Sequence, residues 1–114
     1  MRDYNLYLND ILRAIERIDN SFKGINEDDF NNDLNLQDAT LMRIQIIGEA
    51  VKNIPDNLKE KYSTIEWKKI SGIRDVISHL YFGIDLEIIR DVVKNKLPEL
   101  KSSITKIINE EKKR

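Results

Sequence analysis

Apolar residues recur every three or four positions along almost the whole of this 114-residue chain. Nowhere do they alternate at period two for long enough to make a strand. That spacing restricts the chain to helices that bury one stripe against each other. The first stripe is Tyr4, Leu8, Ile11, Ile15, Ile18 and Phe22, with Asp3 placed to cap its start and Gly24 to end it. Asn26 to Asp33 is acidic and Asn-rich and reads as a loop or short turn. A second helix is expected from about Gln37 to Ile54, with Asn35 or Leu36 near its start. Pro55 stops it, since the residue before a proline avoids the helical region. Asp56 to Tyr62 can form a short helix. Ser63 and Glu66 fit a capping box, which starts a third helix carrying Trp67, Ile70, Ile73, Ile77 and Leu80. Asp85 caps the next, with Ile88, Ile89, Val92 and Val93 inward. Pro98 bends or restarts it, and Leu100, Ile104, Ile107 and Ile108 carry the stripe to a charged tail. The expectation is an all-α antiparallel bundle of four to five helices in one domain, residues 1–114.

Composition narrows the chemistry. Charged residues reach 34%, yet the 40% hydrophobic content is periodic enough to fold. Cysteine is absent, which excludes disulfides, thiolate zinc sites and cysteine nucleophiles and suits a reducing cytoplasm. No stretch approaches the roughly twenty apolar residues of a membrane helix. Asp3, Asn5 and Asn9 stand where a secretion signal needs an apolar run, so none is expected. One histidine rules out a multi-histidine metal site within the chain, and no metal or cofactor is expected. Asp19 to Phe30 imitates a calcium loop with Gly24 at its sixth position, but Lys23 and the closing Phe30 break the ligand set. The net charge of −1 hides an asymmetry: residues 1–57 hold 6 Lys/Arg against 11 Asp/Glu, and residues 58–114 hold 13 against 9. A solvated helical surface explains this, and so does an acidic ligand at the basic end.

Two places stand out. On the second helix, Arg43 falls amid Ala39, Ile47, Ala50 and Ile54, opposite Asp38, Gln45, Glu49 and Lys52. A cation on the apolar face snorkels to water, or it serves an interface or site. The other place is Arg74-Asp75-Val76-Ile77-Ser78-His79-Leu80-Tyr81. Arginine offers a permanent planar fork to phosphate oxygens. Histidine exchanges a proton near neutral pH. Tyrosine offers a hydroxyl or a stacking face. A lone histidine near a helix end is also commonly structural.

In a straight helix, positions 74 and 79 diverge by about 140° and stand about 7.5 Å apart along the axis. Positions 75 and 79 share a face, so Asp75 can orient the imidazole. Cleavage by 2′-hydroxyl attack gains from an acid and a base acting together. One histidine cannot be both at once, whereas a two-fold dimer sets two histidines and two arginines across one cleft.

Arg74, His79 and Tyr81 reproduce the R-x4-H-x-Y motif, and the chain resembles the HepT-like proteins of the HEPN superfamily. Met42 to Ala50 is similar to that family's IGEA-bearing helix, Ile65 to Ile70 to its PxWxxI segment, and Leu97 to Leu100 to its LPxL. The resemblance implies an all-helical homodimer and a metal-independent endoribonuclease toxin of a toxin–antitoxin pair. It implies a minimal nucleotidyltransferase antitoxin as partner, which silences the nuclease by transferring AMP to Tyr81. On this basis Arg74 steadies the phosphate, His79 is the acid/base, Asp75 assists, and Tyr81 lines the site and accepts AMP. The alternative is a non-catalytic HEPN dimer that binds a nucleotide or partner beside a nucleotidyltransferase. A plain structural dimerisation bundle is a third class.

Overall fold

The computed structural model describes residues 3–80 and 85–112, and only the backbone of residues 74–80. Helix α1 spans Tyr4–Ser21, α2 Glu27–Asn32, α3 Leu34–Lys52, α4 Asp56–Lys61, α5 Trp67–Leu80, α6 Leu86–Asp91 and α7 Leu97–Lys112. A π-helical turn, Val92–Lys96, joins α6 to α7 without a break. Among the described residues every regular element is helical.

The long helices follow the stripes. Leu8, Ile11, Ile15 and Ile18 of α1 are fully enclosed, as are Val51 of α3 and Ile104 of α7. Each such side chain contributes about 2 kcal/mol of burial. The core lies where α1 meets α3 and α7 and where α3 meets α5. Asp3 caps α1, accepting from the Asn5 backbone N–H at 3.0 Å. Gly24, at φ +72°, takes the left-handed turn that follows, a conformation glycine adopts freely. Asp85 caps α6 as its position suggests, accepting from the Glu87 N–H at 3.0 Å.

Three local differences have physical reasons. The Asn-rich segment folds as α2, because Asn26 and Asp29 form a reciprocal capping box at 2.8 and 3.1 Å. Phe30 is then driven inward, 5.3 Å from the Phe22 ring. Helix α3 starts at Leu34 rather than near Gln37, because Asp33 caps it through the Leu36 N–H. Buried Gln37 is freed to donate to the Phe30 and Asn31 carbonyls at 2.9 and 3.2 Å. Helix α5 begins at Trp67, later than the Ser63 box suggests. The Glu66 carboxylate turns instead to Lys69 at 2.6 Å, and the Trp67 indole N–H donates to the Tyr62 carbonyl at 3.1 Å.

The α6–α7 junction is the fourth case. Pro98 neither ends nor restarts the rod; the turn before it widens. Leu97 donates to the Val92 carbonyl, five residues back. Proline lacks an N–H and crowds the carbonyl four residues earlier, so a wider turn relieves it.

Candidate functional site on helix α5

Helix α5 is pinned at its start. Trp67 is buried and held by the Tyr62 carbonyl. Tyr62 is itself clasped: its hydroxyl donates to Glu111 Oε2 at 2.7 Å, and Lys61 reaches the same oxygen at 2.7 Å. That hydrogen bond first, then burial and the nearby Glu110, hold the phenol well above its ordinary range. Inward, Ile70 and Ile73 pack on the core against α3. So the sequence around 62–73 fixes the axis and rotation of the helix that carries positions 74–80.

The helix continues unbroken through Leu80. Positions 74 and 79 therefore diverge by about 140° on one chain, and positions 75 and 79 lie on one stripe. The side chains of Arg74, Asp75 and His79, and the whole of Tyr81, lie outside the described residues.

Arg43 is described. Its Nη1 donates to Ser21 Oγ at 2.6 Å and to the Arg17 carbonyl at 3.2 Å. It fastens α3 to the last turn of α1, where a cation meets the negative end of the helix dipole.

Beside α5 lies a cavity of about 490 Å³ that the apolar pattern did not announce. Ile44, Ile47, Ile73 and Leu100 floor it, and Glu66, Lys69 and Lys96 stand at its edge. Lys69 holds the Glu66 carboxyl below its usual range, mainly by hydrogen bonding, with Lys96 adding a little. Glu66 in turn raises Lys69. The stripes of α3, α5 and α7 give the floor residues inward positions, but a gap between helices depends on their separation, which spacing does not encode. No described helix is long and apolar enough to cross a membrane.

Residues 11–107 match the family profile described as "Ribonuclease HepT-like". A Methanocaldococcus jannaschii protein described as "Gamma-glutamylcyclotransferase and putative RNase" is 47% identical over 109 residues, 96% of this chain. The chain spans 49% of that relative's length, about half. A "Putative RNase" of Caldanaerobacter subterraneus subsp. tengcongensis is 41% identical over 106 residues, covering 93% of this chain and 95% of its own. A "Probable ribonuclease HepT" of Thermococcus cleftensis is 38% identical over 106 residues, covering 93% and 96%. No solved structure matches the chain significantly.

Proposed function

Because the chain belongs to the HepT-like ribonuclease family, we propose that it is a metal-independent endoribonuclease acting as a homodimeric toxin. The observation that carries this is the Arg74, His79, Tyr81 spacing inside the family-matched segment, with its first two positions on the pinned helix α5. The 2′-oxygen attacks the adjacent phosphorus, and the bond from phosphorus to the 5′-oxygen breaks. One His79 takes the 2′-hydroxyl proton, and the partner's His79 gives a proton to the departing 5′-oxygen. The products are a cyclic phosphate and a 5′-hydroxyl end. Arg74 steadies the charge that builds on the phosphate oxygens. Asp75 shares the stripe of position 79 and orients the imidazole.

Two features support the dimer. Positions 74 and 79 diverge on one chain, so a second chain supplies the missing group to one shared cleft. Met42 and Ile46, four apart on α3, are 59% and 42% exposed and give a second copy an apolar strip to cover. A nucleotidyltransferase antitoxin would silence the enzyme by moving AMP from ATP to the Tyr81 oxygen, with pyrophosphate leaving. The added phosphodiester would place negative charge beside Arg74 and repel RNA.

The test compares wild type with His79→Ala on cellular RNA in the presence of a chelator. Cleavage by wild type alone, leaving 5′-hydroxyl ends, is the expected result. Cleavage that needs added metal, or that leaves 3′-hydroxyl ends, overturns it. Absence of cleavage by a chain whose Tyr81 carries no AMP favours the non-catalytic binding dimer.

A further inference from the structure

We propose that Lys68 and Gly72 extend the RNA site, so that a single strand runs from position 79 along the outer stripe of α5, across the backbone bared at Gly72, to the Lys68 ammonium. The proposal rests on the ribonuclease reading above and adds a path for the substrate.

Gly72 is the anomaly that points there. It lies inside α5 and is partly exposed. A glycine in a helix interior is destabilising relative to alanine. Among the described residues nothing requires it: its φ is not in the left-handed range, and a Cβ built there meets no atom within 4 Å. The bare, partly exposed backbone at Gly72 therefore leaves room for another molecule to lie close against the helix.

The register says what approaches. Positions 68, 72, 75 and 79 fall within a band about 60° wide on α5, away from the core-facing 67, 70 and 73. Position 79 stands about 10.5 Å along the axis from Gly72, and Lys68 about 6 Å the other way. Lys68 is exposed and has no ion pair among the described residues, whereas Lys69 beside it is held by Glu66. The Ser71 hydroxyl donates back to the Lys68 carbonyl at 3.1 Å, which keeps the surface beside Gly72 low. A flat strip ending in an uncommitted cation suits a sugar–phosphate chain. A second protein copy would ask for apolar side chains, and these four positions carry none. Asp75, the one acid in the band, lies between Gly72 and position 79, about 4.5 Å along the axis from Gly72, so the strand passes it next to the reacting group, and the stretch from Gly72 to Lys68 carries no acid in the band.

The experiment measures binding of a fluorescent, fully 2′-O-methylated single strand by the full chain; this probe cannot undergo 2′-hydroxyl attack. Gly72→Ala is expected to weaken binding about tenfold, through a methyl group set under the strand, while raising the melting temperature by about 4 °C. On cleavable RNA it raises KM more than it lowers kcat. Lys68→Ala makes the dependence of log affinity on log salt shallower by about 0.7, one phosphate contact on a single strand, and Lys68→Arg restores it. Gly72→Ala binding as tightly as wild type overturns the path. So does loss of dimer in sedimentation with unchanged RNA affinity, which assigns the bare backbone to a second copy. Failure of wild type to bind the strand also overturns it. The two readings separate cleanly. Wild type that cleaves RNA while Gly72→Ala matches it sinks the path alone. Wild type that binds the strand but cleaves nothing sinks the ribonuclease reading alone.

Discussion

At the scale of single residues, Tyr62 joins three elements. Its carbonyl holds Trp67 of α5, its hydroxyl holds Glu111 of α7, and it closes α4. Tyr62→Phe keeps the ring and the carbonyl and loses only the hydrogen bond to a carboxylate. Unfolding in urea should show a loss of about 1.5–3 kcal/mol at neutral pH. The pH dependence has a definite sign. The folded-state pKa lies above the ordinary 10.0, so the stabilisation is full below about pH 10 and fades as pH rises toward the folded value. Thermal unfolding from pH 8 upward should show wild type losing its advantage over Tyr62→Phe only in the alkaline range. An advantage that faded below pH 8 would mean that another group titrates. Arg43→Ala tests a different pair of bonds, those to Ser21 and the Arg17 carbonyl. A stability loss of about 1 kcal/mol is expected, with RNA cleavage per folded molecule unchanged. A fall in kcat for folded protein would place Arg43 in the site.

At the scale of elements, the π turn shows both how legible the chain is and where reading it stops. Val92 and Leu97 are both buried and lie five apart. In an α-helix that spacing separates them by about 140°; in a π turn they stack. In the sequence the junction reads as a bend or a restart at Pro98, because Val93 and Leu97 keep the four-residue spacing of an ordinary helix. The difference is decided by the core that Ile89 and Leu100 share. Deleting exposed Asn95 should convert the turn to regular helix with both stripes still inward, leaving circular dichroism and melting temperature close to wild type. Deleting Thr105 instead rotates all that follows by about 100°, moving Ile107 to the exposed position 106 and Asn109 into the buried position 108, and should lower the melting temperature well below that of the Asn95 deletion. Equal damage from both deletions would show that the π turn is not a one-residue insertion. The other differences are of the same local kind. Asn26 and Asp33 cap α2 and α3, and the helices they start carry Phe30 and Gln37 to buried partners, pairings that are tertiary.

At the scale of the whole molecule, the ribonuclease family was legible in the sequence, whereas the assembly of a site was not. The spacing of Arg74 and His79 already implied that one straight helix cannot converge them, and α5 is indeed unbroken through Leu80. A shared cleft follows from that geometry if two histidines divide the acid and base roles. The idea predicts a particular mixing law. When wild type and His79→Ala are unfolded together and refolded in equal amounts, random pairing makes half the dimers mixed. Each mixed dimer has one histidine, loses either the acid or the base, and falls by about a hundredfold or more. Activity should then follow the square of the wild-type fraction, about one quarter in the equal mixture. Independent sites within each chain would give one half. A linear law would place acid and base in one protomer, and the divergence of positions 74 and 79 would then require the path of the chain beyond Leu80 to bring another group to His79.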